Sequence, residues 1–307
     1  MGADGTRRGW RDDARVAEIL DEGDLLYVAV TTRRGPHVTP TAFDRDGRRL
    51  WFVTPRRSVK ARTIRRHREV GALVRMGERA VIMSGRARIV DPLTARGVFS
   101  VNRLLDLPLA ATGFLGRNHR HVTGTVRDHK APTLALARVA VSVDITRLAL
   151  LEGERVAATW GVWEHGEPLP SGSPLDVGPP DLSGVPSALR SFLAADDQPV
   201  VLGWQTPTGP LALPARWRGA TGMAETSGAA MALAGAGPAG PACVTVDRSR
   251  YRLKHKRGLL LGGTGHARVE DGTASVAIEQ DRLTWWDGED TGTTLRRRDG
   301  AASHGGA

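Results

Sequence analysis

One cysteine, Cys243, stands among 307 residues. A lone thiol excludes an internal disulfide framework, and no Cys/His spacing of the zinc-binding kind occurs, so no metal site is expected. Long apolar runs are missing too. None approaches the roughly 18 to 20 residues needed to cross a bilayer, and Met1 to Trp10 lacks the hydrophobic segment of a signal peptide. The expectation is a cytoplasmic protein with no membrane contact. Aromatic residues make up only 5% of the chain, and acidic residues are short, 33 against 43 Lys and Arg, which leaves a net charge of +10. That field favours an anionic ligand. Nucleic acid is not expected, because the basic residues are spread along the chain without interleaved aromatics or a known reading module.

What is present suffices for a sizeable core: 40% of the residues are hydrophobic, and the length allows two ordinary domains. Val16, Ile19 and Leu20 lie at helical spacing between Asp12-Asp13 and Gly23, which predicts a first helix over 12–22. Short β-rich runs follow at 25–32, 36–43 and 48–54, separated by the hairpin signals Arg33-Arg34-Gly35 and Asp44 to Gly47. Another hairpin is expected over 70–90, then a helical stretch from Asp91-Pro92 to about Leu105, then a long strand over 133–145.

The stretch from Leu50 to Lys60 organises the rest. An apolar run ends in Thr54, turns through Pro55, Arg56 and Arg57, and enters a helix with Ser58 as its N-cap. Hydroxyls, the free N–H groups of a helix start and cations converge there, the layout of a phosphate site. A strand, a turn and a basic solvated helix is the plainer alternative.

The second half repeats the first. Val28 to Phe43 aligns without gaps on Leu202 to Trp217, Gly85 to Asp91 matches Gly265 to Asp271, and Arg147-Leu148 with Glu152-Gly153 matches Arg282-Leu283 with Asp287-Gly288. Three matches in one order argue for a duplicated domain. The first copy carries about 45 extra residues between Asp91 and Val141, and long insertions of that kind are often functional or disordered. The expected organisation is a first domain over 1–163 with a helical insertion at 92–132, a Pro/Gly-rich linker at 164–186, a degenerate second domain at 187–295 and a disordered tail at 296–307. Where the Thr54 to Lys60 motif should recur, the chain runs from Ser227 to Pro241 without a cation. Any phosphate is therefore expected in the first copy only.

Leu26 to Val30, Gly35-Pro36 through Pro40, Trp51 to Thr54 with Ser58 and Lys60, and Gly85 to Val90 together resemble the pyridoxamine-phosphate-oxidase-like split β-barrel family of flavin and deazaflavin binders. The resemblance covers about residues 12–150 well and 198–290 weakly. It implies a mainly β fold with helices (α+β), two tandem split β-barrels forming an intramolecular pseudo-dimer, and FMN as cofactor, with F420 as the alternative. It places the cofactor phosphate on Thr54, Ser58 and Lys60, with Val53 beside them and Arg57 replacing an arginine of relatives where this chain has Val59. His37, Val38, Thr39 and Pro40 would line the ring. Trp204, Arg216 and Trp217 are candidates for the second wall of the cleft, or else ordinary core and strand-pair residues.

The cofactor itself would carry hydride chemistry on a small organic substrate, so no side-chain acid or base is assigned. A flavin or haem carrier, or an interaction module without cofactor, is the non-catalytic alternative. The assembly is a monomeric pseudo-dimer or a homo-oligomer of it. The arginines at 56, 57, 62, 65, 66 and 68 read as a solvated face, with the acidic tail of F420 as a second reading. Gly235 to Gly240 spells a dinucleotide fingerprint, yet Pro238 interrupts it and a strand follows. His119, His121 and His129 read as loop histidines.

Overall fold

The structure, a computed structural model, describes residues 9–47, 49–91, 137–164, 166, 168–172, 176–249, 256–288 and 290–296. The expected helix at 92–105, the insertion and its three histidines, and most of the tail lie outside the described residues. Helix α1 spans Ala14–Glu22, capped by the Asp13 carboxylate on the backbone N–H of Arg15, and buries Val16, Ile19 and Leu20. Eight strands follow: β1 Leu26–Thr32, β2 Gly35–Thr41, β3 Phe43–Asp46, β4 Arg49–Pro55, β5 Glu69–Met76, β6 Arg79–Val90, β7 Arg138–Glu152 and β8 Arg155–Trp160, with helix α2 at Val59–Ile64. Their order in the sheet is β2-β1-β5-β6-β7-β4-β3. Strand β2 runs on past Ala42 into β3, so the chain itself closes the ring. The expected strand at 36–43 is therefore two strands broken at Ala42, and the bend lets one stretch serve both ends of the sheet.

The second half contains helix α3 Ser187–Ala194, strands β9 Gln198–Thr206, β10 Gly209–Arg218 and β11 Met223–Ser227, helix α4 Gly228–Leu233, and strands β12 Ala239–Asp247, β13 Arg257–Glu270, β14 Thr273–Asp287 and β15 Asp290–Leu295. The order β11-β10-β9-β12-β13-β14 closes by pairing β11 with β14. Mostly β with few helices, the chain is a tandem pair of split barrels. Helix α3 buries Leu189, Phe192 and Leu193, and from the Pro/Gly-rich stretch before it Leu169 and Val185 are buried in the same apolar cluster. That stretch packs on the barrels rather than merely spanning between them.

Alternation explains why the strands of the first barrel read as continuous apolar runs. Leu26, Val28 and Val30 of β1 join the core of barrel one, while Tyr27 and Ala29 join the cluster shared with barrel two. Likewise Ala72 and Val74 of β5 face inward and Leu73 faces the other barrel. Strands buried on both faces need apolar residues at every position.

The two halves are related by an approximate two-fold axis. In each first hairpin a threonine hydroxyl donates to the carbonyl of a glycine in the left-handed region: Thr32 to Gly35 and Thr206 to Gly209, both at 2.7 Å. Thr31 donates to its own counterpart, Gln205, at 2.9 Å, so the axis passes between them. Off the axis, Arg147 of β7 donates to Thr208 in the hairpin of barrel two at 2.6 Å. Its counterpart Arg282 donates to the Arg34 carbonyl and, at 2.8 Å, to that of Pro36 in the hairpin of barrel one. Arg34 and Thr208 occupy the same place in the repeat.

Two substitutions test this packing by urea unfolding. A Cβ at Gly71 would lie 2.4 Å from the Pro210 carbonyl oxygen, so Gly71→Ala should cost about 1–3 kcal/mol. Arg282→Ala strands two carbonyls at the interface and should cost about 1–3 kcal/mol. Losses of only a few tenths of a kcal/mol at both positions would contradict the tight barrel-to-barrel seam.

Candidate functional site

Strand β4 delivers Thr54 into the interior, 1% exposed, paired in register with Val139 of β7. Pro55 ends the strand, and the turn is fixed by the Arg56 backbone N–H on the Ala137 carbonyl at 2.8 Å and by the ion pair of Arg56 with Asp91. Ser58 then caps α2, its Oγ accepting from the Ala61 N–H at 3.1 Å. The same Oγ lies 2.9 Å from Thr54 Oγ1, so the two hydroxyls are locked together. Two residues on, Lys60 is buried, 8% exposed, with Nζ donating to the Pro40 carbonyl at 3.3 Å and lying 5.8 Å from the centroid of the Phe52 ring.

Among the described residues no carboxylate forms an ion pair with Lys60. Loss of water, then the nearby charge of Lys256, pull its pKa down to about 7, against a smaller opposing pull from Asp247. Both of those residues come from barrel two. A lysine placed this way is poorly stabilised as an ammonium unless an anion joins it.

Of the other expected site residues, His37, Thr39 and Pro40 are half-buried on β2, and Val38 is buried with its carbonyl accepting from Thr245 of barrel two at 2.9 Å. Burial, then Lys60, then Arg282 push the His37 imidazole down to about 3, so it is neutral over the ordinary pH range. Val53 is half-buried on β4. Arg57 is exposed on the turn. The structure thus joins Thr54 to Ser58 and Lys60 to Pro40, and leaves Arg57 exposed on the turn beside Ser58. The arginines at 62, 65, 66 and 68 are exposed.

Barrel two preserves more of the motif than its sequence suggests. In register on β14, Ala274 matches Val139, which makes Thr226 the counterpart of Thr54. The next residue, Ser227, caps α4 by accepting from Ala230 N–H at 3.1 Å, as Ser58 does in α2. The three-residue turn is deleted, and Ala229 stands in the place of Lys60. The carbonyl that Lys60 serves in barrel one, Pro40, has Pro214 as its counterpart. There the Thr226 hydroxyl donates instead, at 2.6 Å. Ser227 Oγ donates to the carbonyl of Glu154, from the β7–β8 turn of barrel one. The second cradle is closed by protein.

Trp204 and Trp217 are core residues, 1% and 0% exposed, and Trp217 Nε1 donates to the Leu193 carbonyl at 2.8 Å. They form no cleft wall. Arg216 pairs with Asp197 and, across the interface, with Glu78. The Gly235–Gly240 segment leads into β12, not a helix. Sequence reasoning missed Tyr27, Asp247 and Lys256. Asp247 had one faint signal: the repeat sets it opposite Arg75, a charge reversal at a strand end.

The family profile described as pyridoxamine 5'-phosphate oxidase matches residues 12–105. No curated protein matches the chain. Among solved structures, a pyridoxamine 5'-phosphate oxidase-related, FMN binding protein from Nostoc punctiforme is 13% identical, covering 48% of this chain and 85% of its own at a TM-score of 0.35. General Stress Protein 26 from Bacillus anthracis is 14% identical over 48% of this chain and 95% of its own, TM-score 0.31. A protein titled F420 Reductase is 22% identical over 44% and 94%, TM-score 0.31. Among the described residues, no helix is long and apolar enough to cross a membrane.

The depressed Lys60 pKa makes a signed prediction. Between about pH 7 and 10.5 the unfolded chain holds a proton on Lys60 that the folded chain has released, so stability contributed by this residue rises with pH across that window. Unfolding in urea at pH 6.5 and 9.5 should show that Lys60→Met removes part of the wild-type rise. An identical pH dependence in both proteins would mean that Lys60 titrates normally.

Proposed function

We propose, from the premise that the first barrel belongs to the pyridoxamine 5'-phosphate oxidase-like family of split β-barrels, that this chain is an oxidoreductase binding one FMN through Thr54, Ser58 and Lys60 and acting on a small organic substrate. The observation that carries the reading is Lys60: a buried amine whose one acceptor among the described residues is a carbonyl at 3.3 Å, in a barrel whose duplicate has exchanged it for Ala229. A phosphate monoester there would restore the charged form. It would set an anion beside an amine that, among the described residues, forms no ion pair.

The hydroxyls suit the same ligand. Thr54 and Ser58 hold each other, and one hydroxyl hydrogen remains to be directed at a phosphate oxygen. The carbonyl of Pro40 fixes Lys60 from behind and holds β2 against α2. Bound FMN would supply hydride transfer itself, so the protein's part is to orient the ring, exclude water and neutralise the phosphate. The F420 reading would use the same three residues and enlist the exposed arginines after α2 for an acidic tail. Partner chains, if any, would be further copies of the pseudo-dimer.

Titration with FMN, followed by flavin fluorescence, tests this. Saturation at one FMN per chain is expected, and Lys60→Ala should weaken binding at least tenfold, the effect of a charge-assisted bond, with an unchanged circular dichroism spectrum. Affinity should decline as pH rises above about 7, where the amine loses its proton. A protein that takes up neither FMN nor F420 would overturn the reading.

A further inference from the structure

Barrel two lacks the lysine of the cradle, yet it brings a carboxylate against Tyr27 of barrel one, near Lys60. Asp247 ends β12 and is half-buried. Its Oδ1 is satisfied, accepting from Ser249 Oγ at 2.6 Å and from the Ser249 N–H at 3.3 Å. Among the described residues its Oδ2 receives one long hydrogen bond, 3.5 Å, from the Tyr27 hydroxyl. Tyr27 is the cross-strand partner of Pro40, and the Pro40 carbonyl is the acceptor of Lys60. One short chain of contacts thus joins the two charges, Lys60 from barrel one and Asp247 from barrel two. Asp247 is near enough to oppose the lowering of the Lys60 pKa, and among the described residues the two form no ion pair.

The counterpart of Asp247 in barrel one is Arg75, as the registers of β1 with β5 and β9 with β12 show. Arg75 is already engaged: Nη1 donates to the Val200 carbonyl at 3.1 Å and the guanidinium lies 5.3 Å from the centroid of the Tyr27 ring. The repeat is therefore reversed in charge at this strand end. Burial is the largest cause raising the Asp247 pKa, and Ser249 and Tyr27 lower it. With Ser249 on one oxygen and, among the described residues, only the long Tyr27 bond on the other, this carboxylate keeps acceptor capacity for a further donor.

We infer that Asp247 is the second barrel's contribution to the site, its Oδ2 accepting a hydrogen bond from the ribityl or ring portion of a flavin whose phosphate is held at Lys60. This rests on the flavin reading of the cleft. Asp247 acts here as a positioning residue, fixing the part of the ligand beyond the phosphate.

Riboflavin, which lacks the phosphate, separates the two ends. Wild-type protein, Lys60→Ala, Asp247→Asn and Asp247→Ala are titrated with FMN and with riboflavin by fluorescence. Asp247→Ala should weaken both ligands by the same factor, about tenfold or more for a bond to a charged group. Asp247→Asn keeps an acceptor oxygen and should lose less. Lys60→Ala should weaken FMN and leave riboflavin unchanged. Equal affinities in wild-type and Asp247→Ala, or a loss confined to FMN, overturn the inference while leaving the phosphate site standing. Wild-type protein that binds neither ligand removes the flavin reading and this inference with it. Should Asp247→Ala fold poorly, the Asn variant and Ser249→Ala, which loosens the carboxylate, carry the same comparison; no change for either ligand in both is equally fatal.

Discussion

Reciprocal arginine contacts across the pseudo-two-fold axis are the constraint on which the arrangement depends. Arg147 and Arg282 are buried, 8% and 6% exposed, and each reaches into the first hairpin of the opposite barrel. Burying a guanidinium is costly unless its donors are met, so each contact holds only while the opposing hairpin stays in place. Room for Arg282 comes from Gly262, where a Cβ would fall 2.7 Å from its Nε. Arg147 also lies 4.9 Å from the centroid of the Trp163 ring. Seating the hairpins seats β2, and with it the Pro40 carbonyl that orients Lys60.

Duplication makes the structural asymmetry of the two barrels readable as a controlled comparison within one molecule. Thr54 and Thr226 occupy the same register, and Ser58 and Ser227 cap their helices at the same distance. What differs is the donor to one carbonyl: an ammonium at Pro40 and a hydroxyl at Pro214. With Thr226 directed at Pro214, Ser227 loses its hydroxyl partner and donates to Glu154 of the other barrel. A neutral hydroxyl bonded to a carbonyl is stable without any ligand. A buried lysine is not, and the chain retains that cost in one barrel only.

The sequence disclosed local features and hid the ones that depend on topology. Thr54, Ser58 and Lys60 lie within seven residues, on a strand end and one helical turn, so their spacing was informative. The hairpins at Gly35 and Gly209 were legible because a turn with positive φ selects glycine. The recurrence of the cradle in barrel two was missed because a three-residue deletion removed the spacing on which recognition relied, leaving the two hydroxyls adjacent. Trp204 and Trp217 cannot be sorted into core or cleft from sequence, since both uses demand a large apolar ring. Asp247 and Lys256 are nearly 200 residues from Lys60 along the chain, and only the packing of one barrel on the other brings them near.

Fusion changes what such a barrel pair can do. In a symmetric pair of identical chains, any residue added to one cleft appears in both, so a carboxylate brought to face one lysine would face the other as well. A fused pair is free of that restriction. Barrel two can carry Asp247 where barrel one carries Arg75, and can seal its own cradle with the β7–β8 turn, without altering the surroundings of Lys60. The shared apolar cluster joins the interior of barrel two to the face of barrel one through Tyr27, Ala29, Val38 and Leu73. Because those side chains pack as one body, Asp247 stands at a fixed place relative to Pro40 and Lys60.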